Sequence, residues 1–266
     1  MSLCSLIAVD VGNSRTKLGW FDAPPTATGL PTPKSTLELT GTASDGDALR
    51  DWLRAIPGPR QWLIASVSRP ELKRLREWQS QMDPETEVRS ITFRDLDLII
   101  DVAEPKRVGI DRLLGAVAAN RLRMPGRAAV VIDVGTAITI DLVSERGAFL
   151  GGAILPGIAL SARALHKHTD QLPLIPMTEL SEAVPPLGKS TVEAMSSGLF
   201  WGAVGAMREL VERLGRGLPL RPEICLTGGA AESVAKFLGS AARHVPHLVL
   251  GGIVLGAEHS ARSHDG

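Results

Sequence analysis

The stretch Val130-Val131-Ile132-Asp133-Val134-Gly135-Thr136-Ala137-Ile138-Thr139-Ile140-Asp141-Leu142-Val143 decides how this chain is read. An apolar run meets an Asp, passes a tight Gly turn lined with Thr, and leaves as a second alternating run. This pattern predicts a β-hairpin whose turn offers N–H groups, hydroxyls and a carboxylate at one point. Such groups suit a polyphosphate and its metal ion. The pattern occurs once before, at Ile7-Ala8-Val9-Asp10-Val11-Gly12-Asn13-Ser14-Arg15-Thr16-Lys17-Leu18-Gly19-Trp20. Asp-Val-Gly aligns on Asp-Val-Gly, and Thr16 falls on Thr139. Two copies in one chain predict a duplicated fold with a nucleotide between the halves.

The rest of the chain is consistent with that frame. At 266 residues it has room for one large domain or two of ordinary size. Lys plus Arg and Asp plus Glu both number 29, so the formal net charge is zero, which argues against a nucleic-acid partner. Cys4 and Cys225 are far apart, without metal-ligand spacing, and are expected to be buried free thiols in a reducing cytosol. Met1 to Asp10 lacks a basic segment and reaches an acid too early for a signal peptide. The longest charge-free run, Gly147 to Ala162, contains Pro156 and is too short to span a bilayer. A cytoplasmic protein without a membrane partner is expected.

Taken in order, strands are expected at 6–11, 18–21, 61–67 and near 88–92, and helices at 47–55 and 70–81, with 22–36 as a loop. Val108-Gly109-Ile110-Asp111-Arg112 opens a further helix. Asp111 and Arg112 there are either a capping pair or a base beside an anion-binding cation. Lys17 is either solvated or within reach of a phosphate. Met124-Pro125-Gly126-Arg127 breaks that helix and divides domains at 1–124 and 125–266. In the second half, Phe149 to Gly157 reads as a strand, 158–168 as a helix and 172–186 as a loop broken by prolines. Gly188-Lys189-Ser190-Thr191 is no P-loop, because Ala183 stands where the earlier Gly belongs and no apolar strand precedes it. Ser190 or Thr191 instead caps a helix over 192–214. Its Gly198, Gly202 and Ala206 form a smooth stripe, for packing within the subunit or for a dimer. Ile224 to Thr227 is a buried strand entering Gly228-Gly229, a turn able to lie against a base or ribose. His247 to Ala257 is a glycine-containing helix or strand-helix element, and His259, Ser260 and His264 a frayed tail.

The order of these parts resembles the actin-like, sugar-kinase and heat-shock ATPase superfamily, and within it the type III pantothenate kinases, also represented by the Bvg accessory factors. The resemblance rests on Asp10 to Lys17, Gly109 to Arg112, Asp133 to Asp141, Gly151 to Gly157 and Leu226 to Gly229. It implies an α/β fold of two duplicated ribonuclease-H-like domains with an interdomain ATP cleft. The implied activity is ATP-dependent phosphorylation of pantothenate to 4′-phosphopantothenate, towards coenzyme A, by a homodimer. By the same resemblance Asp111 is the general base, and Gly109, Ile110, Asp111, Arg112 and Thr191 contact pantothenate. Asp10, Val11, Gly12, Asn13, Ser14, Arg15, Thr16, Lys17, Thr136, Gly228 and Gly229 hold ATP. Asp133 binds a monovalent cation (K⁺ or NH₄⁺), and Asp10 binds Mg²⁺ directly or through water. Ser14 replaces the family's usual Thr, Ile110 its usual Ala, and Val102 stands where a Tyr is frequent. Rival readings are a regulatory nucleotide-binding relative without turnover, or a kinase of another small hydroxylated acceptor. Retention of Asp10, Lys17, Asp111 and Asp133 argues against the first.

Overall fold

The computed structural model describes residues 5–21, 29–42, 44–175, 184–239 and 242–264, the last four by backbone alone. Cys4, the first part of the expected 22–36 loop and residues 176–183 of the proline-rich loop lie outside the described residues. The chain divides into two compact units, one of Met1–Leu122 with His247–Gly266 and the other of Arg123–Pro246.

In the first unit, β1 (Ser5–Val11), β2 (Thr16–Phe21) and β3 (Ser35–Leu39) form an antiparallel meander. After α1 (Asp45–Arg54), β4 (Arg60–Ser66) pairs parallel to β1. After α2 (Arg69–Met82), β5 (Glu87–Ser90) pairs parallel to β4. The strand order is therefore β3-β2-β1-β4-β5. Ile7, Val9, Leu18, Trp62 and Ile64 are almost completely buried against the inward faces of α1 and α2. The strand β3 falls at the end of the expected loop. Its Leu37 and Leu39 turn inward while Thr36 and Glu38 face water, the alternation of an edge strand.

The helix α3 (Ile110–Leu122) completes this unit together with the last helix of the chain, α7 (Leu248–His264). A Cβ on Gly252 of α7 would lie 2.8 Å from the Leu114 carbonyl carbon, so only glycine allows these two backbones to meet. Asp95 fastens the far end, accepting hydrogen bonds from Ser260 Oγ (3.1 Å) and an Arg89 guanidinium nitrogen (3.4 Å). Those hydrogen bonds, together with ones from Thr92, hold the Asp95 carboxyl below the usual range against the opposing effect of burial. The expected division at 124 thus needs correction at the C-terminus: residues from His247 onward join the first unit, and Ser260 is a buried anchor rather than part of a frayed tail.

The second unit repeats the plan. β6 (Ala129–Val134), β7 (Ala137–Val143) and β8 (Phe149–Pro156) form the meander, followed by α4 (Ile158–His168) and α5 (Thr191–Gly215). β9 (Glu223–Thr227) pairs parallel to β6 and, after α6 (Ala231–Ala235), β10 (Ala242–His244) pairs parallel to β9. Read from β8, the order β8-β7-β6-β9-β10 reproduces that of the first sheet strand for strand. Two α/β units of one strand order are present, the duplication that the paired hairpins predicted and that the ribonuclease-H-like resemblance implied. Cys225 is buried in β9, its thiol pushed up to about 11 by desolvation, which makes it a packing residue. Among the described residues, no helix is long and apolar enough to cross a membrane.

Candidate active site

In the first unit, the chemistry gathers at the carboxyl ends of β1 and β4, where ligands of open α/β sheets bind. Asp10 and Val11 end β1. The loop Gly12–Arg15 follows, closed by a hydrogen bond from Gly12 N to Arg15 O (3.1 Å). The backbone registers of the two hairpins differ. Asp10 lies opposite Lys17, whereas Asp133 lies opposite Thr139. The first turn is one residue longer, so the counterpart of Thr139 is Lys17, and the sequence alignment of Thr16 with Thr139 is corrected by one position. Directly opposed residues share a face of an antiparallel pair, which sets the Lys17 ammonium on the same face as the Asp10 carboxylate. Thr16 opposes Val11 and is buried. The Arg15 guanidinium turns to Glu38 on β3, at 2.8 Å.

Val67 links this loop to the start of α3. Its N–H donates to Val11 O (3.0 Å), and its Cγ1 would lie 3.7 Å from a Cβ placed on Gly109. Sequence reasoning gave Val67 no role; its place beside both motifs follows from the pairing of β1 with β4. Gly109 precedes α3, and Asp111 stands in the first turn with its carboxylate folded back. Asp111 Oδ1 accepts from Arg112 N (2.9 Å) and would lie 2.5 Å from a Cβ on Gly109. The glycine is therefore there to make room for the carboxylate. Burial raises the Asp111 pKa, and the Arg112 N–H and guanidinium only partly counter it. Arg112 and Ile110 flank it, both half-buried. The hydrogen bond from Arg112 N is of the kind a helix-start carboxylate makes, and the raised pKa is of the kind a proton acceptor needs.

In the second unit, three backbone segments converge on the Asp133 turn. Gly135 N donates to Ala137 O (3.0 Å), leaving the Gly135 and Thr136 carbonyls to face Gly157. Gly157 N donates to Thr136 O (2.9 Å), and a Cβ there would stand 2.6 Å from the same oxygen. On the other side Gly228 has φ +102°, and a Cβ on it would overlap Asp133 Oδ1 and lie 2.5 Å from Val134 N. Ala230 N closes the arrangement on Val134 O (3.1 Å). Asp133, Thr136 and Gly228 are thus brought into one place, with exposed Gly229 beside them. Gly157, quoted in the sequence motif without a role, supports the turn.

Thr191 stands elsewhere in this unit, exposed in the first turn of α5. Ser190 is the cap, its Oγ accepting from Glu193 N (3.2 Å), while Glu193 Oε2 accepts from Lys189 N (2.6 Å). A Cβ on Gly188 would lie 2.6 Å from Ala194 Cα, so this glycine seats the loop on the helix and does not cradle a phosphate. On α5, Gly198 and Gly202 have no atoms within 4 Å of where a Cβ would be among the described residues, so the stripe is not used for packing there.

Among the described residues, no group of three or more His, Cys, Asp or Glu side chains could hold a metal ion. A Mg²⁺ ion whose shell is completed by substrate phosphates and water needs only one or two protein carboxylates, such as that of Asp10.

The chain matches the family model described as type III pantothenate kinase over residues 6–213. It is 36% identical over 253 residues to the type III pantothenate kinase of Parafrankia sp., covering 94% of this chain and 96% of that one. It is 34% identical over 264 residues to that of Frankia alni, covering 94% and 97%. Among solved structures it is similar to the activator of the 2-hydroxyisocaproyl-CoA dehydratase from Clostridium difficile, with TM-score 0.53, 12% identity, and coverage of 98% and 97%. That last likeness concerns the fold alone. With its motif residues in place on both sheets, and relatives matched over nearly their whole length, the chain belongs to the type III pantothenate kinase family.

Proposed function

We propose that this chain transfers the γ-phosphoryl group of ATP to the 4′-hydroxyl of pantothenate, with the Asp111 carboxylate taking the hydroxyl proton. The observation that carries the assignment is the half-buried Asp111, its carboxylate folded over Gly109 at the head of α3 and its pKa raised by partial desolvation. A carboxylate kept partly desolvated is a better proton acceptor than one in water, and helix N–H groups hold its anion in place. Arg112, in the same turn, pairs with the pantothenate carboxylate, and exposed Thr191 contacts the same substrate.

Phosphoryl transfer requires little covalent chemistry from the protein and much positioning and charge neutralisation. Lys17, beside Asp10, supplies a mobile cation to the ATP phosphates. The backbone of Asn13 to Arg15 and that of Thr136 offer donors, and Gly228-Gly229 takes the adenosine. Asp10 would hold Mg²⁺, and Asp133 a potassium or ammonium ion. Such ions, when bound, neutralise charge on the phosphates. The open glycine stripe on α5 supports a homodimer.

The replacement Asp111→Asn is expected to lower kcat by about 10²- to 10⁴-fold while ATP still binds. A near-normal kcat in that variant would remove Asp111 from the role of base. Turnover is also expected in potassium or ammonium buffer and not in sodium. Equal rates in all three would take Asp133 out of the cation role. A coupled assay of ADP release with pantothenate and with other small hydroxylated acids separates this reading from a kinase of another acceptor.

A further inference from the structure

We propose a second ligand site in this protein: a cavity of about 740 Å³ in the Arg123–Pro246 unit that binds a small organic phosphate. Four arginines (Arg127, Arg208, Arg216 and Arg221) line it against a single acidic residue, Glu212. Arg127 and Arg221 sit just before β6 and β9, at the amino ends of these parallel strands. Asp133 and Thr227 sit at the carboxyl ends. The lining reaches along β6 as far as Ile132 but includes none of Asp133, Thr136, Gly157 or Gly228, so the cavity is a place separate from the Asp133 turn.

The arginines are positioned for an outside ligand. Arg127 Nε donates to Arg221 O (3.0 Å), which fixes its planar fork without using the terminal nitrogens. Arg208 and Arg221 have no side-chain hydrogen bond or ion pair among the described residues. Arg216 reaches Glu212 at 3.5 Å in an exposed i, i+4 pair that is worth little in water. Arg208, Val211, Glu212 and Gly215 lie on one face of α5, following helical spacing. Arg216 at the C-cap offsets the negative end of that helix, which would otherwise repel an anion. Guanidinium forks match phosphate oxygens in pairs, and convergent like charges in a concavity favour a polyanion. The rest of the lining is apolar: Ile224, Val211 and Leu238 offer contact to a hydrocarbon or aromatic body. The volume lies within the range of sites for small organic ligands. The ligand class is accordingly a phosphate monoester or diphosphate carrying an apolar group.

The test titrates the full chain with 1-naphthyl phosphate by calorimetry, with pantothenate and a non-hydrolysable ATP analogue both at saturation. One equivalent is expected to bind. Replacing Arg208 and Arg221 together by Gln should weaken binding by about a hundredfold, about tenfold for each charge-assisted contact. Pantothenate-dependent ADP release in that double variant should equal that of the unaltered protein. 1-Naphthol, which has the same ring without the phosphate, should not bind. The proposal is overturned if the probe binds only when the ATP site is empty, if the double variant binds as tightly as the original, or if no probe binds at all.

Discussion

At Asp111 two influences oppose each other, and their balance sets what the residue can do. Burial raises its pKa; the Arg112 N–H and guanidinium lower it, and burial prevails. A base must be ionised, so kcat/KM should fall as pH drops through this raised value. The acid limb then lies above the ordinary carboxylate position and should vanish from the residual rate of Asp111→Asn. The same shift has a consequence for stability with a definite sign. The folded state holds this proton more tightly than the unfolded state. The contribution of Asp111 is therefore most favourable below the unfolded value of 3.8 and declines as pH rises through the folded one. Urea unfolding should find Asp111→Asn more stable than the original at neutral pH, with the difference shrinking towards pH 3.8. A less stable variant at neutral pH would contradict the desolvation account. Gly109, Asp111 and Arg112 are legible in the sequence as neighbours in a motif. The reason for the glycine, a carboxylate folded back over it, is visible only once side-chain directions are known.

At the scale of elements, the two hairpins show what a pattern can and cannot convey. Alternation and an Asp-Val-Gly entry are local, so both hairpins were readable. Register depends on how many residues the turn consumes, and one extra residue moved Lys17 into the place that Thr139 holds in the other copy. The edge strands β3 and β10 were missed for another reason: they are short and half-polar, and pairing along one side alone defines them. Gly228 offers a test at this scale. Its positive φ and its contact with Asp133 and Val134 both exclude a side chain. Gly228→Ala should destabilise the second unit by about 2 kcal/mol or more and weaken ATP binding. Gly205→Ala, on an open side of α5 and outside the Gly198-Gly202-Ala206 stripe, should instead stabilise the chain by about 0.5–1 kcal/mol. Thermal unfolding of the two variants measures both; matched midpoints would refute the contrast.

For the whole molecule, the last helix matters most. Leu248, Leu250, Ile253 and Val254 of α7 are almost fully buried, and the helix packs on α3 and on β1 and β4, all in the first unit. Removing it uncovers an apolar face that nothing else in that unit replaces. A chain ending at Pro246 should lose amide-exchange protection throughout β1 and β4 while β6 and β9 keep theirs. Undiminished protection in β1 would show that the first unit is complete without α7.

The sequence by itself determined the duplicated hairpins, the capped helices, the acidic and glycine motifs and the family, because each is carried by residues close together in the chain. Only the tertiary structure decided the return of α7 to the first unit, the approach of Gly157 and Gly228 to the Asp133 turn, and the meeting of Arg127 with Arg208 and Arg221. Those outcomes depend on which surfaces bury one another, and contact between residues far apart in the chain leaves no period or spacing in the sequence.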